Sequence, residues 1–165
     1  MGAKQSAGLL VFRRRGNSVE FLLAHPGGPF WKHRDEGAWS IPKGLIDQGE
    51  ESQAAAEREF EEEVGQCVAG DFIALAPCRQ KSGKVIHCWM VEADLDLSGF
   101  RSNTFELEWP RGSGRMTAFP EIDRVAYLAP DCAFRKILPG QAPLIAEALE
   151  RLGVADERGG RTTTP

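Results

Sequence analysis

Two apolar runs open the chain, residues 7–12 (AGLLVF) and 19–24 (VEFLLA), separated by the polar, turn-forming stretch RRRGNS. Runs of that length bounded by turn residues predict two neighbouring strands. Residues 25–37 follow as a Pro/Gly-rich loop carrying aromatics and charges, leading into a short extended segment at 39–42. The period then changes. Ala56, Phe60 and Val64 recur every four residues, which predicts a helix buried along that stripe. Ser52 is the expected N-cap and Gly65 the expected C-terminal stop. Residues 72–78 and 85–93 predict two strands joined around the hairpin tip KSGK, and residues 94–120 read as irregular. A last strand is expected at 124–128, two short helices at 130–138 and 143–152, and a disordered polar tail over 153–165. This order predicts one α+β domain over residues 1–152, with a mixed sheet between helices.

Composition narrows the picture by exclusion. The 165 residues are 42% hydrophobic and 27% charged with a net charge of -4, ordinary for a globular protein and unsuited to broad attraction to DNA or an anionic membrane. No apolar stretch approaches the roughly 20 residues that span a bilayer, and the first residues lack a signal-peptide core. Cys67, Cys78, Cys88 and Cys132 form no C-x-x-C pair and have no histidine at zinc spacing. They read as reduced thiols in a cytoplasmic protein, with Cys78 and Cys88 facing each other across a hairpin. A monomer or homodimer is expected.

The chemistry concentrates in residues 44–65, GLIDQGEESQAAAEREFEEEVG. On the expected helix Glu59, Glu62 and Glu63 stand at i, i+3 and i+4 and share one face, where like charges repel. A positive group is expected over them, and hard oxygen ligands suit Mg²⁺, with Mn²⁺ a substitute. Such an ion keeps positions for water and phosphate oxygens, which points to attack on a phosphate ester or anhydride. Arg58 lies off that face, and its fork is expected to hold the loop carboxylate of Glu50.

This segment resembles the Nudix box of the MutT-like hydrolases. Gly44, Glu50, Arg58, Glu59, Phe60, Glu62, Glu63 and Gly65 all fall in the family's register, and Gln66 replaces a final apolar residue. The resemblance implies an α/β/α sandwich and a divalent-metal-dependent pyrophosphohydrolase acting on a nucleoside diphosphate linked to another group. It assigns the metal to Gly44, Glu59, Glu62 and Glu63, catalysis to Glu62, Glu63 or the further carboxylate Glu121, and structural roles to Glu50, Arg58 and Gly65. Glu62 and Glu121 both stand as candidate bases.

Lys43, in Ile-Pro-Lys-Gly, gives a Pro-Lys-Gly form similar to the diadenosine polyphosphate and diphosphoinositol polyphosphate branches. It favours a (di)nucleoside polyphosphate or nucleoside triphosphate, with Lys81 and Lys84 reaching the same phosphates. ADP-ribose or a diphosphate sugar is the alternative, as is a nucleotide-binding domain without catalysis. Trp31, Trp39, Trp89 and Phe119 could each stack a base. Trp31 is favoured and Trp89 reads as core. His25, His33 and His87 have no visible partner and read as packing or surface residues.

Overall fold

The computed structural model describes residues 4–154. Its first strand, β1 (Gln5–Arg15), is apolar without alternation because both of its faces are covered. Residues 7, 9 and 11 pack on one side and residues 10 and 12 on the other. β2 (Ser18–Pro26) turns back antiparallel to it, with Phe12 opposite Phe21. Both strands extend past their apolar runs, since polar ends such as Arg15 and Ser18 still pair beside the turn of the hairpin.

The sheet continues through β3 (Lys43–Leu45), β4 (Ile73–Ala74), β5 (Cys78–Arg79), β6 (Val85–Glu92) and β9 (Ile122–Leu128). Its order is β4-β6-β1-β2-β9, with β3 paired to β1 and β5 paired to β6. β1 and β6 run parallel while the other pairs are antiparallel, so the sheet is mixed as predicted. α1 (Ser52–Val64) buries Ala55, Ala56, Phe60 and Val64 against one face. α2 (Pro130–Lys136) and α3 (Ala142–Leu152) cover the other with Ala133, Leu144, Ile145 and Ala148. The result is the expected α/β/α sandwich.

Several local expectations fail for physical reasons. Ser52 is the first helical residue and not the cap; Glu51 holds the cap position without a side-chain bond, and the Ser52 hydroxyl accepts from Trp89 Nε1 instead. The strand expected over 72–78 splits into β4 and β5. Pro77 has no N–H, the Ala76 N–H goes to Glu147 on α3, and the register against β6 slips by one residue between the two pieces. Cys78 therefore stands opposite Ile86, not Cys88, and both thiols are buried and free.

Residues 94–120 are not irregular throughout. β7 (Thr104–Glu108) and β8 (Met116–Pro120) form a separate antiparallel hairpin with Phe105 opposite Phe119. Gly153 ends α3 in the left-handed region, and Val154 packs on the core, so these two residues are ordered. The rest of the expected tail lies outside the described residues. No helix among the described residues is long and apolar enough to cross a membrane.

Candidate active site

Helix α1 is held by its apolar stripe against β1, which fixes where its acidic face meets the loop that follows β3. Gly44 stands opposite Ala7 in the sheet and directly beneath the Glu59 carboxylate. A Cβ at Gly44 would lie 2.1 Å from Glu59 Cδ, so only glycine admits the carboxylate there. Gly65 closes the helix at φ 82°, and a Cβ there would press to 2.8 Å from the Arg101 carbonyl oxygen.

Arg58 organises the loop. Its Nε and Nη2 donate to the two Glu50 oxygens at 2.9 Å each, and Nη2 also donates to the Leu45 carbonyl at 3.0 Å. The Asp47 N–H donates to Glu50 as well, at 3.0 Å. Bonded first to Arg58 and then to this amide, the Glu50 carboxyl is held down at about 2. The expected Arg58–Glu50 clamp is therefore formed.

Arg58 does not lie off the acidic face, however. Its Nη1 donates to Glu59 at 2.9 Å and to Glu62 at 3.3 Å. At i+1 and i+4 the long guanidinium arm swings across the helix surface, so spacing along the axis underestimated its reach. The positive group over Glu59 and Glu62 in this structure is Arg58.

Glu63 lies deeper. Its Oε2 accepts the Lys43 backbone N–H at 3.1 Å. Burial pushes its carboxyl up to about 8, against the pull of the Lys43 ammonium and amide, and the charges of Glu59 and Glu121 push it further. Burial also raises Glu59, with Arg58 opposing and Glu62 and Glu121 adding. Lys43 is shifted down, chiefly by burial and then by repulsion from Lys84, against the attraction of Glu63 and Glu59.

Among the described residues no three acidic, histidine or cysteine side chains converge into a ready-made cation cage. The donor chemistry nevertheless fits a hard divalent ion. Glu59 and Glu63 are half-buried carboxyls whose burial disfavours their own charge, grouped with Glu62 and Glu121, and a set of this kind favours added positive charge.

A cleft of about 400 Å³ opens beside this cluster. It brings together Trp31, Lys43, Glu63 and Glu121 of the predicted residues. Glu121 sits at the join of β8 and β9, its N–H bonded to the Asn103 carbonyl and its carbonyl to the Gly27 N–H. Lys81 and Lys84 do not line this cleft; they border two separate hollows at the hairpin tip. Trp39 is buried, with Nε1 donating to Asp35 at 2.7 Å, and it offers no stacking face. Trp89 is half-buried against the α1 side. Phe119 borders another hollow, beside Trp109.

Two residues in or against this cleft escaped the sequence reading. Phe105 reaches the cleft opposite in register to Phe119; the alternating stretch TFELE was the available signal. His25 is fully buried behind the wall, Nδ1 bonded to Asp123 at 2.7 Å and Nε2 facing the Arg34 carbonyl. Nothing linear announces a partner 98 positions away.

A family model of the NUDIX domain matches residues 3–148, and the chain belongs to that family. Nudix hydrolases generally use divalent metals. The chain is 27% identical over 111 residues to Nudix hydrolase 7 of Arabidopsis thaliana, covering 62% of this chain and 37% of that protein. It is 39% identical over 60 residues to the asymmetrical bis(5'-nucleosyl)-tetraphosphatase of Caenorhabditis elegans, covering 36% and 39%. The matched segments thus span about two fifths of these curated relatives. Among solved structures, a C. elegans Ap4A hydrolase binary complex superposes at a TM-score of 0.61 with 20% identity, over 90% of this chain and 98% of that one. The NUDIX domain of Shewanella oneidensis NrtR, complexed with ADP ribose, superposes at 0.65 with 16% identity, over 92% and 90%. These two likenesses establish the fold.

Proposed function

We propose that this Nudix domain is a pyrophosphohydrolase of nucleoside polyphosphates, acting first on dinucleoside polyphosphates and second on nucleoside triphosphates. The observation that carries this reading is one cleft with aromatic rings, Trp31 and Phe105, and also Lys43, Glu63 and Glu121. An aromatic pair suits a base, and a cation beside grouped carboxylates suits a phosphate chain. The similarity over 60 residues to the C. elegans tetraphosphatase supports the same substrate class.

Glu59, Glu62 and Glu63, with the Gly44 backbone, would hold Mg²⁺, for which Mn²⁺ can substitute. A bound ion neutralises phosphate oxygens and lowers the pKa of attacking water. The chain's own residues do the rest. Lys43 meets a phosphate as a point charge, and Trp31 and Phe105 fix the base. Glu121 takes the proton as water attacks phosphorus and the bridging P–O bond breaks, the departing phosphate leaving as the anion. Glu121 is preferred to Glu62 because it lines the cleft, whereas Arg58 engages the Glu62 carboxylate. The Arg58–Glu50 clamp holds the loop that follows β3, the strand that carries Gly44.

A panel of nucleotides assayed chromatographically for their hydrolysis products, with and without Mg²⁺, tests this. Diadenosine tetraphosphate should give the highest kcat/KM. A clear preference for ADP-ribose or another diphosphate sugar would refute the ordering, and absence of metal-dependent turnover on every nucleotide would refute the enzyme itself.

A further inference from the structure

β7 and β8 pair only with each other, so their two-stranded sheet has two outer edges. The Glu121 N–H donates to the Asn103 carbonyl and the Trp109 N–H to the Arg115 carbonyl. Hydrogen-bonded pairs alternate along an antiparallel ladder, so Phe105–Phe119 and Leu107–Thr117 are the bonded pairs between those ends. The backbone groups of Met116 and Ala118 therefore point away from β7 along one edge. Those of Thr104, Glu106 and Glu108 point outward along the other. Among the described residues the outward amides of Met116 and Ala118 have no partner.

The two edges differ in what they accept. A second copy paired along β7, centred on Glu106 or Leu107, would set the carboxylates of Glu106 and Glu108 against their own images. The β8 edge is neutral and short. Gly27 lies against its lower end, where an added Cβ would come within 1.9 Å of the Pro120 carbonyl oxygen, so the open stretch is residues 116–118. That stretch fits its own image about a two-fold axis at Thr117. Met116 then faces Ala118 of the second copy and Ala118 faces its Met116, each pair exchanging both backbone hydrogen bonds. A long side chain meets a small one, and the contact covers Met116, at 61% the most exposed large apolar side chain among the described residues. Arg115 comes opposite Phe119 of the second copy and diagonal to its Glu121, a cation beside a ring and a carboxylate.

We propose that the β8 edge joins two copies of this chain into a symmetric dimer, with one antiparallel sheet running β7-β8-β8-β7 across the two-fold axis. The occupant is a second copy because the opening is its own complement: neutral, bounded by Gly27, and centred on a residue that meets itself. The dimer is independent of the hydrolase reading and rests on association alone. So short a pairing buries less than about 1,200 Å², the range of reversible contacts, and the dimer forms and dissociates with concentration.

Sedimentation of the full chain across a concentration series reads the association. Wild type should pass from monomer to dimer with a midpoint on the order of 100 µM, and a chain still monomeric at about 1 mM would overturn the proposal. Ala118→Pro removes an amide that points into the interface and keeps the bonds to β7, so it should weaken association about ten-fold or more. Glu106→Pro removes the matching amide on the β7 edge and should stay within about two-fold of wild type. Equal weakening by both, or none by Ala118→Pro, would overturn the β8 edge as the contact. A cross-link decides the matter should proline disturb the hairpin itself. Residues that meet at a non-hydrogen-bonded pair have Cα atoms about 4.5 Å apart, within disulfide reach. In a Cys67→Ser/Cys132→Ser background, which removes the two thiols that are not buried, Thr117→Cys should give a disulfide-linked dimer under oxidised glutathione and Glu106→Cys should not. No linkage at position 117, or equal linkage at both positions, would overturn the dimer.

Discussion

Arg58 carries two jobs that pull in different directions. Its Nε and Nη2 fasten Glu50 and the Leu45 carbonyl, while Nη1 draws Glu59 and Glu62 toward itself. On the proposed reading, a cation held by those carboxylates would compete for the Nη1 contacts and would leave the Glu50 side intact. Arg58→Ala should therefore lower the melting temperature and reduce kcat on the order of a hundred-fold through misplacement of the loop. Arg58→Lys should resemble Arg58→Ala more than wild type, because an ammonium cannot reproduce the two-pronged bond. A thermal melt and turnover measured together decide it; a variant that melts and turns over like wild type removes the clamp.

Glu63 gives a pH prediction at the same scale. Its folded carboxyl titrates near 8 against an ordinary 4.5, so between those values the folded state binds more protons than the unfolded chain. Without divalent ion, this group's stabilisation is complete below about 4.5 and lost as pH rises through 8. The slope is at most about 1.4 kcal/mol per pH unit. Glu50 acts oppositely, its contribution disappearing as pH falls from 4.5 toward 2. Melts in EDTA from pH 5 to 9 should thus decline for wild type and flatten in Glu63→Gln. A wild-type curve that rises over that range contradicts the shift.

At the scale of elements, what could be read from sequence was what announces itself locally. α1 was legible because Ala56, Phe60 and Val64 repeat at its period, and β1 because a strand covered on both faces reads as one apolar run. β4 and β5 were not legible as separate pieces, because their break depends on Glu147 arriving from α3. The β7–β8 hairpin was hidden among glycines, since its strands pair with each other and leave alternate residues half-exposed. Within the site the box carboxylates and the clamp were legible by register, while Phe105 was not, coming from that hidden hairpin. The meeting of elements yields a sharp test. Gly44→Ala puts a methyl into the space of the Glu59 carboxylate. It should cut kcat on the order of a hundred-fold by displacing that carboxylate, with α1 still folded by circular dichroism. Full activity would mean Glu59 is not needed where it stands. Phe105→Ala and Trp31→Ala should each raise KM roughly ten-fold with kcat spared, as loss of a stacked base implies.

Over the whole molecule the site depends on contacts between segments far apart in the chain, and His25 is the clearest case. It is fully buried at the end of β2, edge-on to Trp39, with ring centroids 5.2 Å apart. Nε2 faces a carbonyl, which can only accept, so Nε2 carries a proton. Nδ1 faces the Asp123 carboxyl at 2.7 Å. The ring therefore ties the loop bearing Trp31, through Arg34, to the strand that begins just after Glu121. His25→Phe keeps the ring volume but removes the bonds to the Arg34 carbonyl and to Asp123, each worth about 0.5–1.5 kcal/mol net, Asp123 being part-exposed and still in contact with Arg124. The loop should then open more often while the carboxylate cluster on α1 stays in place. The expected outcome is a lower melting temperature, faster amide exchange confined to residues 27–38 and 121–125, and a KM that rises more than kcat falls. Exchange that accelerates equally across α1, or a kcat loss with KM unchanged, would mean that His25 supports the fold at large and not the wall of the cleft.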